Sequence, residues 1–262
     1  MWKGIDVSDN QGVIDWEQVA TAKVSFAILR SVRRSGKADH RFAANLDGCR
    51  KHNIPVSVYK YTYAATQEAA RQEAQQVVEL LRSHHLTGTM VWWDVEDKDM
   101  LRPLGDTKLT ECIRAAQEVI MAAGYSFGLY VGLYVYKENW FDFGAFSGTR
   151  LWVARYYKGY RTMAFDDEPN HEYAPVVGRD ISAWQYTSCG EVPGIKGNVD
   201  LDIAYEDPTT WAQPPAEPGV IYTVSVADVW TREQAEVIRE QFVAMGINGI
   251  VHKVKIYDCK MM

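Results

Sequence analysis

Two carboxylic acids separated by one residue, Asp94 and Glu96, stand at the end of the apolar run Met90-Val91-Trp92-Trp93. Such a run reads as a buried strand that delivers acids to an open end. Strand side chains alternate between faces, so positions 94 and 96 point the same way. Like charges held close in a partly dry setting resist double ionisation, and a proton stays on the pair near neutral pH. A protonated carboxyl beside a carboxylate is what glycoside hydrolysis needs. An isolated D-x-E at a strand end is more often a pair of solvated acids, so the rest of the chain has to supply the context.

Two further stretches bring acids to strand ends. Gly4-Ile5-Asp6-Val7-Ser8 carries Asp6 into the turn-rich Asp9–Gly12, and Gly197–Asp202 sets Asp200 and Asp202 on one face. Aromatic side chains gather near the same ends: Tyr59, Tyr61, Tyr63, Tyr130, Trp152, Tyr156 and Trp184. Their rings stack on sugars as readily as they fill a core. Tyr61 and Trp184, each just inside a strand terminus, are the leading pair for a sugar-binding groove. Arg30 and Arg155 also end strands, where they could meet substrate or form an ion pair with one of the acids. The six histidines form no ligand cluster.

The elements that must hold these residues follow from periodicity. Short apolar runs predict strands at Met1–Val7, Val24–Arg30, Pro55–Tyr63, Met90–Glu96, Phe127–Gly132, Thr149–Tyr156, Ile181–Tyr186 and Gly197–Asp202. Helical patterns intervene after Trp16 and over Phe42–His52, Gln67–His84 and Leu109–Ala123, the last stopped by Gly124. This β-α-β-α rhythm predicts an α/β protein with parallel strands and crossover helices, an irregular (β/α) TIM-like barrel with its chemistry at the C-terminal strand ends. The irregularity is expected between Val131 and Ile181, where helices are hard to find.

The chain has 262 residues, 47% of them hydrophobic and 24% charged, with a net charge of -6. That balance suits a large soluble core and disfavours nucleic acid as a partner. The four cysteines show no C-x-x-C or Cys/His ligand spacing, so free thiols and no metal or organic cofactor are expected. No apolar run reaches about 18 residues and the start at Met1 has no signal-peptide core, so a soluble protein without a membrane span is expected. The barrel should occupy 1–210. A Pro-rich linker follows at 211–219, then a small βαβ domain at 220–262 with a strand Val220–Val226, a helix Thr231–Met245 and a strand Gly249–Tyr257. So small a unit needs a partner surface, in docking or in self-association.

With these segments in place, residues 1 to about 208 resemble glycoside hydrolase family 25, the Chalaropsis-type lysozymes. The matching pieces are G-I-D-V-S with Q-G-x-I-D-W, the D-V-E after an apolar strand, L-W-V-A-R-Y, and W-Q-Y-T-S followed by V-P-G-I and N-V-D-L-D. The resemblance implies that Glu96 is the general acid/base, that Asp94 is its partner carboxylate, and that Asp6 and Asp200 complete an acidic floor. Asp202 stands where the family pattern usually has Asn and is left out of the catalytic set. Tyr61, Tyr63, Arg30, Tyr130, Trp152 and Trp184 are the substrate-binding candidates. The implied activity is a muramidase acting on the peptidoglycan of the bacterial cell wall, with the substrate's 2-acetamido group as nucleophile. Such a protein would reach the wall as an endolysin released through a membrane lesion or as a trimmed secreted protein. The tail resembles the βαβ half of a sporulation-related peptidoglycan-binding repeat. Two other readings compete: a chitinase-like or endo-N-acetylglucosaminidase enzyme, and a wall-binding protein without catalysis. The apolar residues before Asp94 weigh against the first, because family 18 chitinases carry a longer D-x-x-D-x-D-x-E run. Retention of all the expected acids weighs against the second.

Overall fold

The computed structural model describes residues 1–212, which lie in the first of two units, Met1–Pro218. The βαβ unit expected at 220–262, the linker from 213 onward and any self-association through them lie outside the described residues.

The described residues hold nine strands: β1 (Trp2–Val7), β2 (Phe26–Arg30), β3 (Val56–Tyr61), β4 (Met90–Asp94), β5 (Ser126–Gly132), β6 (Arg150–Ala154), β7 (Met163–Ala164), β8 (Ala183–Glu191) and β9 (Val199–Ala204). They pair in the order β6-β5-β4-β3-β2-β1-β9-β8-β7, and a further β6–β8 pairing closes eight of them into a barrel. The two-residue β7 joins only the far end of β8. Strands β1 to β6 run parallel. The expectation of parallel strands throughout fails at β9, which is antiparallel to β1 and β8. A run of alternating residues carries no sign of its direction.

The helices are α1 (Trp16–Thr21), α2 (Phe42–Lys51), α3 (Gln67–Ser83), α4 (Gly105–Ala122) and the short α5 (Leu133–Lys137). Helix α3 shows why they form. Thr66 caps it by accepting from the Ala69 amide at 3.1 Å. Ala70, Ala74, Val77, Val78 and Leu81 fall on one buried stripe. Helix α4 starts four residues before the expected Leu109, because Gly105–Lys108 carry no apolar period to announce it. Between β6 and β8 only β7 and one 3-10 turn, His171–Tyr173, intervene. Arg179 ties that stretch down, donating to the carbonyls of Phe146, Ser147 and Thr149 at 2.7–2.9 Å.

Two apolar layers result. The outer one lies between barrel and helices. The inner one fills the barrel with Phe26, Ile28, Met90, Trp92 and Trp152, and Trp211 closes it, meeting Phe26 at 5.2 Å and Trp92 at 5.1 Å edge to face. Trp211, at the head of the expected linker, is thus buried with the barrel core. No helix among the described residues is long and apolar enough to cross a membrane.

Candidate active site

Register brings the acids together. Asp6 on β1 sits opposite Asp200 on β9, and Asp94 on β4 lies between Tyr61 of β3 and Tyr130 of β5. Because β9 runs antiparallel, Asp200 reaches the open end from the beginning of its strand, which corrects the expected strand-end position. Strand β4 stops at Asp94, so Glu96 stands just beyond the ladder instead of within it. Val95 continues the pairing by donating to the Tyr130 carbonyl at 3.0 Å, and the Tyr134 hydroxyl donates to the Glu96 carbonyl at 3.0 Å. The backbone that carries Glu96 is therefore fixed on both sides.

Asp6, Asp94, Glu96 and Asp200 line one cavity of about 410 Å³, with Tyr59, Tyr61 and Tyr63 along its wall. Burial pushes every one of these acids upward. Glu96 reaches about 7, raised first by desolvation and then by the charges of Asp200 and Asp97. Asp200 also reaches about 7, through burial. Asp6 and Asp94 lie well above the usual carboxylate range, again first by desolvation, with neighbouring carboxylates adding to it. Lys60 acts in the opposite direction on Asp94. That lysine is fully buried, paired with Glu73 at 3.3 Å and donating to the Tyr61 carbonyl. Asp94 Oδ1 is buried without a hydrogen-bond partner among the described residues. A group of acids so placed retains protons at neutral pH and can hand one to a bound oxygen.

Gln185, which the sequence reading passed over, holds the floor together. Its amide donates to Asp6 at 2.6 Å, and its carbonyl accepts from the hydroxyls of Tyr130 at 2.7 Å and Tyr156 at 2.6 Å. A polar residue at an inward position of the apolar run Ala183-Trp184-Gln185-Tyr186 was the available signal. Asp202 lies lower, fully buried, and accepts from Trp152 Nε1 at 2.8 Å.

The substrate-binding candidates divide. Tyr61 and Tyr63 stand half-exposed on the cavity wall, their rings 4.8 Å apart. Tyr130 and Trp152 border the cavity but are buried, with centroids 4.3 Å apart, so they support the floor and offer no free face. Trp184 is a correction: strand alternation turns it outward, where it is fully buried in the outer layer and donates to the Arg155 carbonyl at 3.0 Å. Arg30 borders the cavity, paired with Asp9 and with Asp39 at 2.6 Å, not with the floor acids. Arg155 donates to the Ala174 carbonyl at 3.2 Å and lies outside the cavity.

Comparison with known proteins agrees with this architecture. The sequence pattern of Glycosyl hydrolases family 25 matches residues 5–195. An autolytic lysozyme of Clostridium acetobutylicum is 24% identical over 207 residues, 76% of this chain and 55% of that protein. The modular autolysin LytC of Streptococcus pneumoniae is 26% identical, with a TM-score of 0.64 over 78% of this chain and 46% of its own. A lysozyme of Streptomyces coelicolor shares the fold at 21% identity, with a TM-score of 0.63 over 80% of this chain and 94% of its own. The chain thus spans about half the length of the first two.

Proposed function

The chain belongs to family 25 of the glycosyl hydrolases, and from that premise we propose that it is a peptidoglycan N-acetylmuramidase. It cleaves the β-1,4 bond between N-acetylmuramic acid and N-acetylglucosamine and acts on the bacterial cell wall. The observation that carries this reading is Glu96, held at the mouth of an acid-floored cavity with its carboxyl raised to about 7. A carboxyl at that value keeps its proton on about half of the molecules at neutral pH and is acidic enough to release it.

Protonated Glu96 donates to the glycosidic oxygen as the C1–O bond breaks. The carbonyl oxygen of the substrate's 2-acetamido group attacks C1 and forms a cyclic oxazolinium. Asp94, which lines the cavity, accepts the acetamido N–H through its carboxylate. Water then opens the ring, Glu96 takes a proton from that water, and the anomeric configuration is retained. Asp6 and Asp200 complete the floor, with Asp6 fixed by Gln185.

Borohydride reduction of fragments released from purified peptidoglycan tests the activity. Reduced muramic ends support it, and reduced glucosamine ends would assign the protein to the glucosaminidases.

A further inference from the structure

The cavity has an acidic floor and a basic rim. Between positions 30 and 41 the chain carries Arg30, Arg33, Arg34, Lys37 and Arg41 against one acid, Asp39, in a protein whose net charge is -6. Arg30 is already neutralised by Asp9 and Asp39. Arg33 and Arg34 also line the cavity, and neither has an ion-pair partner among the described residues.

Their placement is built into the backbone. Val32 and Ala38 pair as an antiparallel bridge. The Arg33 amide donates to the Lys37 carbonyl at 2.9 Å, and Gly36, at a φ of 78° that favours glycine, donates to Arg33 at 3.0 Å. Arg33 Nε donates to the Ala38 carbonyl at 3.0 Å, which leaves the other guanidinium nitrogens available. The Arg34 guanidinium lies 4.5 Å from the centre of the Tyr63 ring. Both arginines line the cavity, so a group that enters the groove meets their charge.

We propose that Arg33 and Arg34 are specificity-determining residues that bind a substrate carboxylate, either that of the muramoyl lactyl group or one on the attached peptide. This rests on the muramidase reading. An anionic substituent is repelled by the floor acids once they ionise, whereas among the described residues that line the cavity Arg33 and Arg34 carry guanidiniums without an ion-pair partner. A guanidinium fork binds a carboxylate through two parallel N–H···O bonds. A neutral glycan such as chitin offers no such group.

The test is steady-state kinetics of the full chain on three soluble substrates: glycan with its peptides, glycan stripped by an amidase so that the lactyl carboxylate is free, and glycan whose carboxyls have been converted to amides. Parent, the double variant Arg33→Gln/Arg34→Gln, and Arg34→Lys are compared. The double variant should raise KM roughly tenfold on carboxylate-bearing glycan, with kcat and the pH profile unchanged. It should match the parent on the amidated glycan, and Arg34→Lys should recover part of the loss. A defect confined to peptide-bearing glycan assigns the peptide carboxylate, and one that persists on stripped glycan assigns the lactyl group. Added salt should raise the parent's KM on carboxylate-bearing glycan alone, a measurement that does not depend on the variants folding. An unchanged KM on every substrate, an equal loss on amidated glycan, or salt effects that ignore the carboxylates would overturn the proposal. A parent that releases no muramic ends would instead remove the muramidase reading on which it rests.

Discussion

Glu96 is raised from 4.5 to about 7, and the sign of that shift fixes what pH does to both activity and stability. Its proton is needed for leaving-group departure, so kcat/KM should fall as pH rises through about 7. The charge of Asp97 contributes to the upward shift, so Asp97→Asn should move this basic limb to lower pH, read from a pH–rate profile. For stability, the folded chain keeps a proton that the unfolded chain releases between pH 4.5 and about 7. The contribution is present below 4.5 and is lost as pH rises through 7. Glu96→Gln should therefore unfold at higher denaturant than the parent at pH 8, by about 1–3 kcal/mol, and should match it at pH 4. Asp94 carries a separate expectation. If this cavity-lining carboxylate orients the acetamido group, de-N-acetylated glycan should be a poor substrate, and equal rates on both glycans would contradict that role. At this scale the sequence shows which acids meet. It does not show Gln185, which has no charge to announce it, or the outward turn of Trp184, which depends on the phase of β8.

Strands β1 to β5 and helices α2 and α3 are legible to within two residues because apolar runs and helical periodicity mark them, with the Thr66 cap added at α3. Direction is not legible. β9 reads like any other buried strand, and its register against β1 and β8 reveals that it runs backward. The barrel interior constrains the strands closely. A Cβ added at Gly128 on β5 would lie 2.5 Å from the Trp92 ring, and one at Gly4 on β1 would lie 2.4 Å from Phe26. Both rings are buried, so they have little room to move. Gly128→Ala should cost about 1–3 kcal/mol in thermal unfolding.

Across the molecule, the open end of the barrel holds the acids and the opposite end is closed by aromatic packing on Trp211. Trp211→Ala should cost about 3–5 kcal/mol by chemical denaturation. Its effect on the Glu96 limb should be small, because Trp211 packs on Phe26 and Trp92 and does not line the cavity that holds Glu96. The alternation of strands and helices made the barrel readable from the chain, while the stretch between β6 and β8 was not, since one 3-10 turn and the carbonyl contacts to Arg179 leave no periodic trace. The claim on which the account depends is that Glu96 is the acid of a muramidase. Mass spectrometry of borohydride-reduced fragments from purified peptidoglycan tests it most directly, for the parent and for Glu96→Gln. The account predicts reduced muramic ends from the parent and a loss of roughly 10²- to 10⁴-fold in the variant. Equal release by both, or release of reduced glucosamine ends, would contradict it.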